Sequence, residues 1–402
     1  MTAAQDANPA SPDHVTITPS NTPDTIDVTV VSSFADIHGG SEQWLVSALR
    51  HTVRLRVRAV LLAEGPLADV LADAGAEVVT IATGADARAI LHTAKALARD
   101  LRTHRPQVVL GNGVKAQAAL ALPARVLGIP AVWVKHDHSF DRVLAVPLAR
   151  LSSQVVATAA EVGAATGRPD VVIIEPARPA EPMARESALA ILADHGYIPD
   201  ARPTLVMIGR LVPYKGVDVG IASLAYHPAA DWRLVVIGAD DPATPGESDR
   251  LRHLASDLGV TDRVTWLGGI PDAGRLVRAF SALAALTRPG QANSPQREGY
   301  GITATEAMLG GIPVIVAGEG PIARRLSTPA GRAGVVVRPA DPMSTAEALG
   351  TLGDADLRAE MGARGRAAAA NLPDATEVSA RLVAVLAKAA TGTPRRGRHG
   401  AA

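Results

Sequence analysis

Two short segments hold the residues whose types and spacing could do chemistry. In Thr204-Leu-Val-Met-Ile-Gly-Arg-Leu-Val-Pro-Tyr-Lys-Gly216 a strand-like apolar run enters a Gly-Arg turn, and Lys-Gly then stands where a helix would begin. That arrangement aims Arg210 and Lys215 at one point. A guanidinium grips phosphate oxygens bidentately and an ammonium adds a mobile point charge, so the pair suits a diphosphate. Either cation alone reads equally as a solvated surface residue. The second segment, Arg297 to Val316, carries Glu298 and Glu306 as an E-x7-E pair, with Gly299 and Gly301 between them. Glycines permit close backbone approach, and the helix start expected here offers the N–H groups of Gly301, Ile302 and Thr303 to an anion. A carboxylate aimed at a diphosphate would repel it. Glu306, further into the helix, is therefore expected to accept hydrogen bonds from sugar or ribose hydroxyls. Glu298 precedes the helix and lies nearer a cleft, or else caps the helix through its dipole.

Elements able to position these residues are legible as short β-branched runs alternating with Ala/Leu/Arg stretches of helical period. Strands are expected at Ile26–Ser32, Arg56–Leu62, Glu77–Ile81, Gln107–Leu110, Ala131–Lys135, Gln154–Ala157 and Val171–Ile174. The intervening helices make this the βαβ rhythm of a parallel sheet. Glu175-Pro-Ala-Arg-Pro-Ala-Glu-Pro182 then breaks the pattern with three prolines. The rhythm restarts at Thr204 and becomes almost wholly helical from Pro342 to Lys388, which suits helices over the second sheet and back across the hinge. The expected organisation is a leader over 1–22, a first domain over 23–174, a hinge or linker over 175–200, a second domain over 201–390 and a tail over 391–402, with leader and tail disordered. The fold class is α/β: two Rossmann-like, doubly wound domains facing across an interdomain cleft, where ligands sit beyond the carboxyl ends of the strands.

Composition narrows the chemistry. Among 402 residues there are 40 Lys and Arg against 40 Asp and Glu, so no global field recruits nucleic acid. Aromatic residues make up 3% of the chain, which argues against stacking platforms for single-stranded nucleic acid. The absence of cysteine removes disulfides, thiolate metal sites and Cys nucleophiles together. No apolar stretch reaches the ~18 residues of a membrane span.

Several N-terminal patterns have competing readings. Gly39-Gly40, after the first strand, would let the backbone approach a ligand ahead of a helix capped by Ser41, or form a plain turn. His136 and His138 form H-x-H, which strand alternation would place on one face as a metal pair needs. Asp354-Ala-Asp356 opens a helix and reads as an N-cap rather than a metal clamp. Gly111-Asn-Gly-Val-Lys-Ala116 matches the shape of a dinucleotide fingerprint but sits in the fourth βα unit. Its Lys115 reaches the acceptor side of a cleft or faces water. Arg50, His51, Arg54, Arg56 and Arg58 form a basic cluster that is either a solvated face or a contact for an anionic lipid surface.

Taken together, G-R-L-x-P-x-K-G at Gly209–Gly216, V-x-W-L-G at Val264–Gly268 and E-G-Y-G-I-x-x-x-E-A-M-x-x-G-x-P-V from Glu298 resemble the retaining glycosyltransferases of family four, also called glycosyl transferases group 1, whose architecture is GT-B. The resemblance covers about residues 26 to 388. It implies that Arg210 and Lys215 hold the nucleotide diphosphate, Glu306 the ribose, and Glu298 a place beside the donor sugar. It also implies that the backbones of Gly269 and Ile270 lie near the base, Gly39 and Gly40 near the diphosphate, and His136 of Val132-Trp-Val-Lys-His-Asp-His138 near the sugar.

The expected activity is transfer of a sugar from a nucleotide-diphosphate donor to an acceptor hydroxyl with retention of configuration. His136, Glu298, Arg210 and Lys215 form the expected catalytic set, and Gly39, Gly40, Ile270, Gly301, Ile302, Thr303 and Glu306 join Arg210, Lys215 and Glu298 in donor binding. No cofactor, obligatory metal or nucleic-acid partner is expected. The expected location is cytoplasmic, with peripheral contact at the inner membrane face left open. An epimerase or phosphorylase on the same architecture, or a catalytically silent nucleotide-sugar-binding subunit, is the alternative.

Overall fold

Strands built from uninterrupted apolar runs are buried on both faces, as parallel sheets require. In the computed structural model, which describes residues 25–392 apart from His38, His51, Val53, Ala85, Ala243 and 289–297, seven strands form the first sheet, the central ones buried on both faces. They are β1 (Ile26–Ser32), β2 (Leu55–Leu61), β3 (Glu77–Thr80), β4 (Val108–Asn112), β5 (Ala131–Lys135), β6 (Gln154–Ala157) and β7 (Val172–Ile173). All pairings are parallel and the order is β3-β2-β1-β4-β5-β6-β7. The leader over 1–22 and residues 393–402 of the tail lie outside the described residues.

The connecting helices are α1 (Gly40–Leu49), α2 (Leu67–Asp73), α3 (Ala87–His104), α4 (Val114–Leu127), α5 (Ala145–Leu151) and α6 (Ala160–Ala164). Asp86 starts α3 by accepting the N–H groups of Arg88 and Ala89. Helix α1 begins one residue earlier than expected, with Gly39 as its N-cap. Ser41 does not cap it: its hydroxyl donates to Glu42 Oε1 at 2.7 Å instead.

The second sheet has the order β10-β9-β8-β11-β12-β15 and is again all parallel. Its strands are β8 (Thr204–Ile208), β9 (Arg233–Ile237), β10 (Val264–Trp266), β11 (Ala282–Ala285), β12 (Val314–Ala317) and β15 (Gly334–Val337). A two-stranded ribbon, β13 (Ser327–Thr328) and β14 (Gly331–Arg332), precedes β15 and is not signalled by any apolar run. Helices α8 (Val217–Ser223), α9 (Glu247–Asp257), α10 (Ile302–Gly310), α11 (Pro321–Arg325), α12 (Pro342–Thr351) and α13 (Ala355–Ala370) cover this sheet. In both sheets the strand order reverses direction at one point, between β1 and β4 and between β8 and β11, and a crevice opens at such a point.

Two segments join a different body from the one expected. Helix α7 (Arg185–Asp194) falls within the expected linker, yet its Ala188 and Leu192 pack with Val277 and Phe280 in the second core. Helix α14 (Ala375–Thr391), expected within the 201–390 unit, returns to the first sheet, where Val378, Leu382 and Leu386 share a core with Val28, Val30 and Leu45. The apolar stripe of α14 needs a sheet or helix to cover it, and α1 supplies one: Ser379 Oγ donates to the Ser47 carbonyl at 3.1 Å.

Candidate active site

The reversal point of the second sheet gathers the cationic pair. Arg210 leaves the carboxyl end of β8 and Lys215 ends the following 3-10 turn at Pro213–Lys215. Lys215 Nζ lies 2.7 Å from Glu298 Oε2, and Thr287 Oγ1 donates to the same oxygen at 3.1 Å. Burial lowers the Lys215 ammonium, but the Glu298 carboxylate outweighs it and holds the group above the ordinary lysine value. In return the Lys215 charge holds the Glu298 carboxyl below the usual carboxylate range, against burial. Arg210 is ion-paired with Asp241 while its side chain stays 65% exposed. Arg210, Lys215, Thr287 and Glu298 line a cleft pocket of about 470 Å³ together with Gly301, Thr303 and Ile322. An adjoining pocket of about 720 Å³ shares Thr287 and Glu298 and is completed by Gly318, Glu319 and Pro339.

Helix α10 opens onto this pocket. Gly301 is its N-cap, and the N–H groups of Gly301, Ile302 and Thr303 find no acceptor among the described residues. One turn on, the Glu306 carboxylate packs over Gly274, where a Cβ would stand 1.8 Å from Oε2, so the glycine is what admits the acid. Burial, with Asp272 adding to it, pushes the Glu306 carboxyl up to about 7. No hydrogen-bond partner holds it among the described residues. Gly269 is exposed, and the Ile270 side chain packs against the second core, leaving its backbone at the loop.

The first sheet closes the other side. The N-terminal glycine loop meets α10 directly: a Cβ on Gly40 would lie 3.5 Å from Ile302 Cδ1. Gly39 lies against the buried Glu42, whose carboxyl is raised chiefly by burial. Gly299 sits on the His136 carbonyl so closely that a Cβ would be 2.2 Å from that oxygen, so the Glu298 loop of the second domain rests on the end of β5. His136 Nε2 is 2.6 Å from Asn112 Oδ1, and the ring meets Trp44 edge-on at 5.4 Å. The Asn112 amide nitrogen donates to Ser32 Oγ and to the Ser41 carbonyl, which fixes its oxygen toward His136. His136 Nε2 is then the donor, and burial lowers its pKa to about 4, so the ring is neutral with a lone pair on Nδ1.

Four of the patterns with competing readings find their places in the fold. The H-x-H pair does not converge, because β5 ends at Lys135: His136 turns to Asn112, while His138 Nδ1 bonds Asp141 Oδ2 at 3.0 Å beside the buried Lys135. The half-buried Lys115 donates its ammonium to the carbonyls of Thr83 at 2.9 Å and Leu62 at 3.3 Å, tying two loops together. The G-x-G-x-x-A segment spends its Asn112 on His136 rather than on a dinucleotide. In the basic cluster, Arg56 pairs with Asp27 at 2.7 Å and Arg58 with Asp100 at 2.6 Å and with Glu77, so these two arginines are ion-paired; His51 lies outside the described residues. Asp354 caps α13, accepting from Asp356 N and Leu357 N. Among the described residues no cluster of three His, Asp or Glu could hold a metal, and no helix is long and apolar enough to cross a membrane.

Sequence reasoning missed Asn112, Thr287, Asp241 and Trp44. Only the polar Asn112 at the end of an apolar strand gave any signal.

A cleft between two doubly wound sheets, with paired cations and a bare helix terminus on one wall, is the GT-B arrangement. Residues 194–368 match the family described as glycosyl transferases group 1. The chain is 34% identical over 163 residues to the D-inositol 3-phosphate glycosyltransferase of Acidothermus cellulolyticus, covering 39% of this chain and 35% of that protein. It is 33% identical over 168 residues to a GDP-mannose-dependent alpha-(1-6)-phosphatidylinositol monomannoside mannosyltransferase of Mycobacterium tuberculosis, covering 41% of this chain and 42% of that one. The aligned stretch thus spans well under half the length of these curated relatives. Among solved structures, Anabaena HepE in complex with UDP-glucose superposes with a TM-score of 0.74 at 20% identity over 90% of this chain and 100% of that one. WaaG, a glycosyltransferase involved in lipopolysaccharide biosynthesis, gives 0.60 at 19% over 91% and 100%. These two likenesses concern the fold.

Proposed function

We propose that the protein transfers a sugar from a nucleotide-diphosphate donor to an acceptor hydroxyl, with retention of anomeric configuration and without a cofactor or obligatory metal. The observation that carries this reading is that Lys215, Arg210 and the residues Gly301 and Thr303 at the start of α10 line one pocket. A lysine ammonium has three donors, so Lys215 can keep Glu298 and still grip a phosphate oxygen. Breaking the anomeric bond puts negative charge on the departing diphosphate, and preorganised donors aimed at that charge are the largest expected source of rate.

In this reading the acceptor hydroxyl attacks on the face the diphosphate leaves and passes its proton to the leaving oxygen. No side-chain base is required. Glu298 offsets positive charge growing on the sugar, and His136, neutral and with Nδ1 as acceptor, takes a hydrogen bond from a sugar hydroxyl. Glu306 receives the ribose hydroxyls. The relatives support a nucleotide sugar as donor, since one is named for GDP-mannose and a structural neighbour was solved with UDP-glucose.

Thermal denaturation against a panel of nucleoside diphosphates and their sugars tests the reading. Ligand at about 100 times its Kd stabilises the folded state by about 2.7 kcal/mol, a shift of several degrees. A rise with one diphosphate and its sugar, absent with the monophosphate, is expected. A flat response across the panel contradicts donor binding.

A further inference from the structure

Strand β5 ends on a cation that its own alternation turns into the protein. Trp133 packs with Ala145, Leu148 and Ala149 of α5, and Lys135, two residues on, shares that face of the strand. Lys135 is 0% exposed and is the only buried Lys or Arg among the described residues. Burying an ammonium is costly unless charge and hydrogen bonds compensate it, so its partners are informative.

Those partners come from the segment that follows, 136–141. The ammonium donates to the Asp137 carbonyl and stands 2.5 Å from Asp141 Oδ1, while His138 Nδ1 lies 3.0 Å from Asp141 Oδ2. Burial raises the Asp141 carboxyl, but the contacts with His138 and Lys135 outweigh it and hold the group below the usual carboxylate range, so the ion pair is formed at neutral pH. Asp137 Oδ1 accepts the Ser139 N–H at 2.8 Å. The segment is thereby wound around one charge. Within it Phe140 is held at φ 56°, a left-handed conformation that a bulky side chain adopts only under constraint.

The same segment meets the second domain. His136, its first residue, is hydrogen-bonded to Asn112, and its carbonyl accepts the Thr158 hydroxyl at 3.2 Å. A Cβ on Gly299 would strike that carbonyl and lie 3.4 Å from Asp137 Cα. The seat of the Glu298 loop is therefore the backbone that Lys135 ties down, although the ammonium itself lines neither cleft pocket.

We propose that Lys135 is a positioning residue for sugar transfer: through Asp137 and Asp141 it sets the backbone on which the Glu298 loop sits, and so fixes Glu298 and His136 relative to each other. Its effect on catalysis rests on the transferase reading, whereas the mechanical link between the two loops does not.

The test compares the full-length parent with Lys135→Met and with Lys135→Met combined with Asp141→Asn, which removes both charges and so leaves no unpaired carboxylate in the loop. Circular dichroism checks folding. Hydrogen exchange read by mass spectrometry should speed up in 136–141 and also in 298–301, where Gly299, Tyr300 and Gly301 are buried, while β8 and β9 exchange as in the parent. With the donor found by the thermal panel, kcat should fall about 100-fold, the cost of displacing a positioned group by ~1 Å. The Kd for the nucleoside diphosphate should change far less, because Arg210 and Lys215 stand outside the loosened segments. Exchange that speeds up only around 136–141, an unchanged kcat, or diphosphate binding lost together with kcat overturns the proposal and leaves Lys135 a local structural residue. A parent that transfers no sugar, with 298–301 still responding to Lys135→Met, would count against the transferase reading and uphold the link.

Discussion

Lys215 Nζ stands 2.7 Å from Glu298 Oε2, joining the end of the turn after β8 to the loop ahead of α10. The two side chains are 29% and 30% exposed, so the pair sits at a cleft wall rather than in a core. The contact holds the cation at the pocket in one orientation and keeps the carboxylate ionised.

Removing only the charge of the acid separates these roles. Glu298→Gln keeps the shape and an oxygen near Lys215 but frees the ammonium from its anion. Because the pair is part-exposed, stability should change by less than about 1 kcal/mol. Nucleoside diphosphate binding should be retained or tightened while turnover falls at least about tenfold, a loss of ~1.4 kcal/mol in the barrier. Calorimetric titration beside initial rates would read both, and loss of diphosphate binding with normal turnover would oppose these roles.

Glu306 predicts a pH dependence of stability. Its folded pKa of about 7 stands above the ordinary 4.5, so the folded state holds the proton more tightly. That contribution is fully present below about pH 4.5 and is lost as pH rises through about 7. Glu306→Gln should therefore match the parent at about pH 4.5 and exceed it above about pH 8, by at most ~3 kcal/mol. Denaturant melts at the two pH values measure this, and an identical difference at both would show that the carboxyl is not raised.

Gly299 carries a contact between the two domains. A methyl group there meets the His136 carbonyl at 2.2 Å, a backbone atom that cannot rotate away. Gly299→Ala should part the Glu298 loop from β5 and cost activity at least about tenfold, while overpacking of this kind costs stability about 1–3 kcal/mol. Unaltered kcat/KM in this variant would mean that the contact does not position the site.

Helix α14 makes a distant prediction. Leu382 is fully buried among residues of the first sheet although it lies beyond the second domain in the chain. Leu382→Ala should destabilise the first domain by about 2–5 kcal/mol and leave the fluorescence of Trp232, in the second core, unfolding later. Proteolysis followed by mapping of the first fragments would reveal which domain opens, and initial cleavage within 204–337 would contradict this packing.

The strands were legible because their physics is local. Ile26–Ser32, Ala131–Lys135 and Gln154–Ala157 match the structure to the residue, each a mainly apolar run. The ribbon of β13 and β14 was not, since strands of two residues have no period to read. The stripe of α14 states that one face must be covered, but not by which domain. Arg210, Lys215 and Glu298, which meet at one pocket, stand within two short segments of sequence, whereas Glu306 of the same segment faces Gly274 and is not among the residues that line that pocket. Asn112 and His136 were a different matter: their contact follows from β4 and β5 being neighbours, and the hydrogen bond that sets the imidazole is visible only once the sheet is assembled.

The central claim is that Lys215 and Arg210 hold the leaving diphosphate. Steady-state transfer rates for Lys215→Ala and Arg210→Ala, with the donor picked out by the thermal panel, test it most directly. Each variant should fold with a native circular dichroism spectrum and lose about 100-fold in kcat/KM, the ~3 kcal/mol typical of one such preorganised donor. Turnover equal to that of the parent in both variants would contradict the account.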